Sequence, residues 1–265
     1  MDKSGQKLSF GQFSIWVFAI LVLLFLAAPV LIIAIISFND SRILSFPPHS
    51  ISLRWFSRVL NDPDWIAALW VSLRVAAMTT VCATTVGFFA ALALVRGNLK
   101  RKMAIYGFIL TPMIVPNIIV AIAFYMAFAR LGASGSIVAM AIGHAILALP
   151  ITVIILTASL QGLDERYERA ALSLGASQWQ TMRMVTLPLA LPGLISAALF
   201  AFLTSFDELL ISLFLAGVNR QTLTVRVWNS LSMELEPSIA AVSTLLIVMT
   251  VIILLVNAVF QRHSN

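Results

Sequence analysis

Three observations predict an all-α membrane protein with six transmembrane helices. Apolar side chains make up 60% of the chain and charged ones only 11%, where a soluble domain carries about 25% charged residues. The mean hydropathy is +0.99. The apolar residues fall in continuous stretches of roughly 20 or more, the length that an ~30 Å hydrocarbon core requires of a helix. Barrel strands would instead alternate over about ten residues. Six spans with short loops nearly fill 265 residues, so a single transmembrane domain over 1–265 is predicted.

The first span is expected over about 14–38. Its apolar run is too long for a signal-peptide core, and no small-x-small cleavage site follows. A polar stretch from Asn39 to Asp64 contains Pro47, Pro48 and Trp55, and its segment from Ser52 to Leu60 suits a short interfacial helix. The second span is expected over about 65–95, the third over 104–130 and the fourth over 136–160. The fifth is expected over 187–216 and the sixth over 239–260. Pro112, Pro116 and Pro150 predict kinks or opened carbonyls in the third and fourth spans. Trp16, Trp65, Trp70 and Trp228 fall near span ends, where amphipathic rings anchor at the interface.

Lys and Arg set the orientation. The short loop from Arg96 to Lys102 is the densest basic cluster, with Lys100 and Arg101 between. Together with Lys3, Lys7, Arg166, Arg169, Arg183 and Arg262 it places ten of the 17 basic residues on one side. Arg42, Arg54, Arg58, Arg74, Arg130, Arg220 and Arg226 lie on the other. Both termini are therefore expected in the cytoplasm. The formal charge of +6 follows from this bias. It does not point to nucleic acid, because no basic cluster is interleaved with aromatics. The single cysteine, Cys82, excludes an internal disulfide and a cysteine metal site.

Residues 161–186 are too polar to span a membrane and lie on the same side as the basic cluster. Asp164 is placed to cap a first short helix, and Gly175 to end it in a left-handed conformation. Ser177 and Gln180 have the spacing of a capping box for a second helix. Pro188 and Pro192 mark the return to the bilayer. Ala170-Ala171-Leu-Ser-Leu-Gly175-Ala-Ser, followed by Leu187-Pro188, resembles the EAA loop of binding-protein-dependent ABC importer permeases. The usual pattern there is Glu-Ala-Ala, three residues and Gly, followed later by Ile/Leu-Pro. In this chain Arg169 stands where Glu is usual, and Glu168 precedes it.

The resemblance extends along most of the chain. Thr111-Pro-Met-Ile-Val-Pro116, Ile142-Gly-His144 with Pro150, Ser205-Phe-Asp-Glu208, Thr222-Leu-Thr-Val-Arg226-Val-Trp228 and Pro237 to Thr244 look like their counterparts in the polyamine branch. That branch serves spermidine and putrescine, and its relatives import other small organic solutes and ferric iron. The resemblance implies a type I importer permease of the bacterial inner membrane that carries solute by alternating access. It implies a cytoplasmic ATPase dimer, a second permease subunit and a periplasmic binding protein as partners. It also implies that Glu168, Arg169, Ala170, Ala171, Gly175 and Ser177 form the coupling helices seated on the ATPase. No Gly-x-x-x-x-Gly-Lys-Ser/Thr phosphate loop occurs in the chain, so the nucleotide site is expected on another polypeptide. No cofactor, metal or catalytic residue is expected here.

Asp207 and Glu208 fall inside the fifth span, about nine residues or roughly 13 Å from its outer end. Each costs on the order of 2.5–3.5 kcal/mol at a helix centre, so they should line a cavity or have partners. Adjacent positions point about 100° apart, so one would face a solute path and attract a cation while the other faces a neighbour. The competing structural expectation is an ion pair with Arg74. Asn117 and Ser205 are further candidates for the path. His144 lacks a second ligand at helical spacing, so an interhelical hydrogen bond is expected of it rather than a metal site. Gly132-Ala-Ser134-Gly135 matches the Gly-x-Ser-Gly of intramembrane rhomboid proteases. A general base must touch the serine, yet His144 lies ten residues on in the same helix, about 15 Å away. A tight turn is therefore expected at this motif. An ion-driven secondary transporter would show inverted halves with paired broken helices, and no such repeat is visible.

Overall fold

The computed structural model describes residues 10–41, 45–48, 50–217, 220–233 and 237–263. Lys3, Lys7, Arg42 and His49 lie outside them. The described residues are almost wholly helical, with one isolated antiparallel bridge between Asn39 and Ile51. Twelve α-helices follow in order: α1 (Phe10–Ile36), α2 (Arg54–Asn61), α3 (Pro63–Arg96), α4 (Lys102–Leu110), α5 (Asn117–Arg130), α6 (Ile137–Gln161), α7 (Glu165–Ser173), α8 (Gln178–Thr181), α9 (Leu187–Phe206), α10 (Leu210–Leu215), α11 (Leu223–Met233) and α12 (Ser238–His263).

Four helical runs are long and apolar enough to cross a membrane: 14–36, 63–96, 137–161 and 178–206. Long helices lie where the first, second and fourth spans are expected, whereas the fifth, expected over 187–216, starts earlier and its helix stops at Phe206. The third is not one rod. Its halves, residues 102–113 and 117–130, meet at a 92° bend. Two prolines explain the break. Pro116 has no N–H to donate and biases Val115 away from helical backbone. Pro112 tightens the preceding turn into a 3₁₀ segment, Thr111–Met113. Pro150 has a milder effect and sits inside an unbroken α6. The apolar part of α12 runs from Ser238 to Ile252.

Packing divides the chain into two units. One comprises the segments up to Asp62 and from Ser230 to Val248. It holds α1, whose apolar span is unburied along its length. It also holds the interfacial helix expected near 52–60, found as α2, where Phe38 and Phe56 lie 5.1 Å apart. The side chain of Asn39 donates to Ser45 Oγ at 2.8 Å and closes the turn after α1.

The other unit, Pro63–Asn229 with the segment from Met249, is built on α3, α6 and α9, which pack against one another. Lipid tails are as apolar as Leu, so close backbone approach rather than water exclusion drives helix association in a membrane. Small residues provide it: Ala139, Ala141, Ala145 and Ala148 of α6 are buried, as are Ala83 and Ala91 of α3 and Ala190, Ala197 and Ala201 of α9. A Cβ on Gly87 would lie 2.7 Å from Thr152 Cγ2, and one on Gly143 would lie 2.9 Å from Ile211 Cγ2. Thr79 Oγ1 donates to Ala141 O at 3.1 Å, a polar link from α3 to α6. Further out, α5 packs on α10. The rhomboid-like motif forms the expected turn, with Gly132 and Gly135 at φ +67 and +76. Gly135 lies against Gly217, and its N–H donates to Leu215 O at 3.0 Å.

Trp65 departs from the interfacial expectation. It is buried, with the Arg226 guanidinium 5.5 Å over its ring. Arg226 in turn pairs with Asp64 at 3.1 Å. Trp16, Trp70 and Trp228 are exposed.

The tightest of the glycine contacts is at Gly193, where an added Cβ would overlap both Oγ and Cβ of Ser159. Rotating the serine cannot remove the Cβ overlap, so α6 and α9 would have to separate. Overpacking of this kind costs about 1–3 kcal/mol. Gly193→Ala is expected to lower the thermal midpoint of the detergent-solubilised protein, measured by fluorescence-detected size exclusion after heating. Gly107→Ala, at a glycine with open space around it, should leave the midpoint in place.

Candidate functional site

Besides the 92° bend, two departures from regular membrane helix hold the candidate charged residues: the polar hairpin formed by α7 and α8, and the interruption between α9 and α10.

The hairpin is built by local signals. Asp164 accepts from Arg166 N at 2.9 Å and caps α7. At the other end Gly175 takes φ +88. Gly175 N donates to Leu172 O and Ala176 N to Ala171 O, at 3.0 and 3.1 Å, the paired closing bonds of a Schellman motif. Ser177 and Gln180 form both halves of the capping box at 3.2 and 2.8 Å. From Gln178 the chain runs 29 residues to Phe206, passing through a π-helical turn at Met182–Thr186. The fifth span and the second helix of the hairpin are therefore one rod with a π turn in it.

The charged residues of α7 separate by face. Glu168 points inward. Arg96, the last residue of α3, donates through Nε to Glu168 Oε2 at 3.0 Å and through Nη1 to Glu165 Oε1 at 3.2 Å. Its Nη2 donates to Leu163 O at 3.1 Å. Thr186 Oγ1, at the end of the π turn, donates to the other Glu168 oxygen at 3.0 Å. The Arg96 and Glu168 side chains are each only 17% exposed. Arg169, where the resemblance leads one to expect Glu, faces out at 71% exposure and reaches Glu165 at 3.7 Å. Ala170 is exposed and Ala171 half-buried. Tyr167, Leu172, Leu174 and Trp179 are exposed, Leu174 at 89%. A hairpin this polar thus carries an uncovered apolar surface.

The second place is the interruption at residues 207–209. α9 ends at Phe206 and α10 restarts at Leu210. Glu208 is absorbed into the break: its Oε1 accepts from Ile211 N at 3.1 Å, and its carbonyl accepts from Thr224 Oγ1 at 3.1 Å. Asp207 is exposed. Among the described residues neither carboxylate makes an ion pair, with Arg74 or otherwise. His144 of α6 bridges the break. Its Nδ1 meets Ser205 Oγ at 2.9 Å and its Nε2 meets Ser212 Oγ at 3.0 Å, so one ring ties α6 to α9 and α10. Ser205, expected along a path, is instead buried against this ring. Asn117 is exposed at the first turn of α5, directly after the 92° bend. Among the described residues no cluster of three or more His, Cys, Asp or Glu side chains is placed to hold a metal. With both His144 nitrogens engaged by other serines, Ser134 has no base in it.

The contacts made by Arg96, Thr186, Ser212 and Thr224 have no signature in the local sequence. Their partners are distant in the chain: Arg96 and Glu168 are 72 residues apart, and His144 and Ser212 are 68. The exposed Leu174 and Trp179 were findable as large apolar residues in an otherwise polar segment.

Long apolar helices, an interrupted helix with a carboxylate at the gap and an outlying polar hairpin define a membrane transport component. The chain belongs to the family of binding-protein-dependent transport system inner membrane components, whose family model matches residues 83–265. It is 30% identical to the spermidine/putrescine transport system permease protein PotC of Haemophilus influenzae, over 94% of this chain and 96% of that one. It is 31% identical to the putrescine transport system permease protein PotI of Escherichia coli K12, over 88% of this chain and 85% of that one. In fold it is similar to a chain in the crystal structure of a bacterial ABC transporter that imports the acidic polysaccharide alginate. The TM-score is 0.72 at 19% identity, over 97% of this chain and 96% of that one. The fold is that of the transmembrane subunits of ABC importers.

Truncating His144 would leave two buried serine hydroxyls without their partner. Each such orphan costs about 1–3 kcal/mol. His144→Ala is expected to lower the thermal midpoint more than the triple change His144→Ala with Ser205→Ala and Ser212→Ala, which removes the orphaned hydroxyls too. Thermal unfolding of the three proteins in the same detergent tests the ordering.

Proposed function

We propose that this chain is one of two permease subunits of an ATP-driven importer that carries a polyamine, putrescine or spermidine, into the cytoplasm. The observation that carries the coupling half of this reading is the uncovered surface on α7 and α8. Tyr167, Leu172, Leu174 and Trp179 project from a rigidly capped hairpin, with Arg169 and Ala170 beside them. A soluble ATPase with an apolar cleft would cover them. Gly175 and Ser177 shape the turn rather than make the contact, and Glu168 faces the permease's own interior. The Arg96–Lys102 cluster shares the hairpin's end of the molecule, since Arg96 bonds to α7. That supports a cytoplasmic hairpin in the bacterial inner membrane, and the basic-residue bias supports cytoplasmic termini. A periplasmic binding protein would deliver the solute on the opposite side.

The substrate half is supported by the polyamine systems named for the relatives and by Asp207. An exposed carboxylate at a break in a membrane helix, with no ion pair among the described residues, suits passage of an organic cation. Glu208 caps α10, so the path-facing role falls to Asp207, with Asn117 as a second polar candidate. Solute then moves by rocking of the two permease subunits as the ATPases close.

Membrane vesicles holding the full assembly provide the test. Leu174→Ala with Trp179→Ala should cut co-purification of the ATPase and ATP-dependent uptake by tenfold or more, because truncating buried anchors of an interface costs about 2 kcal/mol or more. Asp207→Asn should lower putrescine uptake about tenfold at equal expression, corresponding to about 1.4 kcal/mol. Glu208→Gln should act mainly on stability. Putrescine and spermidine uptake unchanged in both acid variants would remove these residues from the path.

A further inference from the structure

The inward face of α7 is tied to two membrane helices at once. Arg96 closes α3, and its guanidinium reaches Glu168, Glu165 and the Leu163 carbonyl. The second oxygen of Glu168 is held by Thr186, the last residue of the π turn that leads into α9. Glu168 is therefore the node of a three-way junction, bonded to α3 through one oxygen and to the α9 rod through the other. On the outer side the chain of charges continues from Glu165 to Arg169 at 3.7 Å, so the junction extends to the exposed face of the hairpin.

The position of the junction matters because of what bounds the hairpin. Its two ends are a Gly162 turn and the π turn, a geometry that carries a mismatched hydrogen-bond ladder and recurs at functional sites. Without the junction, a push on α7 would be absorbed by hinging at those ends. With it, α7 cannot shift without moving the end of α3 and the start of α9, two of the three helices that form the core. Charge-assisted bonds with several donors in a fixed fork resist such hinging better than apolar contact, because they are directional.

We propose that Arg96, Glu165, Glu168 and Thr186 form an internal ionic brace, with Glu168 as a positioning residue that transmits movement of the α7–α8 hairpin to α3 and α9. This rests on the reading of the hairpin as the ATPase contact. The carboxylate of this coupling segment then serves the permease itself, and the outward charge presented to the ATPase is the cationic Arg169.

The test separates the brace from that reading. Spin labels on the native Cys82, exposed on α3, and on Ser173→Cys, at the exposed end of α7, report the distance between α3 and the hairpin in the permease assembly. A narrow distribution is expected for the parent, and one at least twice as broad for Glu168→Gln and for Arg96→Gln. The exchange Arg96→Glu with Glu168→Arg should narrow it again. In proteoliposomes with the ATPase, second permease and binding protein, labelled putrescine and spermidine are the probes. Uptake per ATP hydrolysed should fall at least fivefold in each single variant and recover more than half of that loss in the exchange. An unchanged distance distribution in both single variants overturns the brace. Broadening with uptake per ATP within twofold of the parent overturns its transmitting role, as does a proportional fall of uptake and hydrolysis with no change in their ratio. If the parent itself takes up neither polyamine, the substrate reading fails, and the distance measurement still decides the brace.

Discussion

Inside hydrocarbon every backbone N–H and C=O must find a partner within the protein, and the architecture follows from how this chain meets or relaxes that demand. Continuous helix meets it along α3, α6 and α9. Where helix stops, something else supplies the bonds. At the 92° bend, Thr111 donates its hydroxyl to Gly107 O at 3.2 Å, and Pro116 O receives Ile119 N at 2.9 Å. At the 207–209 gap, Glu208 takes Ile211 N and Thr224 holds the Glu208 carbonyl. On α3, Ser72 Oγ accepts from Leu223 N, the first residue of α11, at 2.8 Å. Each interruption is repaired by a polar side chain from the same or a neighbouring helix.

The repairs also explain why the broken region does not drift. His144 engages a serine on each side of the gap, so α9 and α10 are referenced to one ring on α6. The small-residue contacts around Gly87, Gly143 and Gly193 bring the backbones close enough for such short side chains to reach. Close approach and polar bridging depend on each other: a larger residue at the contact would put Ser205 and Ser212 out of range of the imidazole. The hairpin is governed by the same economy at the other end of α3, where one guanidinium gathers two carboxylates and a carbonyl.

Much of this was legible in the chain. The Asp164 cap, the left-handed Gly175 and the Ser177–Gln180 box are local devices whose spacing alone specifies them, and each is present. The positions of the first, second and fourth spans follow from apolar run length, but the fifth begins in the hairpin and breaks at 207–209, which run length does not show. Pro112 and Pro116 announced a kink, but not its size, because the angle depends on what α5 packs against, and that is α10. Pro150 announced a kink in the same way, yet α6 runs unbroken through it. Trp65 carried the signature of an interfacial anchor, yet it is buried beneath Arg226, whose charge is held by Asp64. Ser205 was picked out beside Asp207 for its polarity, while its neighbour across the helix packing, His144, decided its direction.

The sequence by itself determined an all-helical membrane protein with a capped polar hairpin and a pair of acids set within an apolar stretch, and its resemblance to a family supplied the permease class. Run length, capping residues and charge bias are properties of neighbours in the chain, so they are readable without coordinates. Only the tertiary structure decided which way the charges face. It turned Glu168 inward to Arg96 and Thr186, left Arg169 outside, used Glu208 as a cap and left Asp207 exposed. The physical reason is that a carboxylate one residue along a helix turns about 100°. Which of two adjacent acids is consumed by the fold then depends on partners that approach from distant helices.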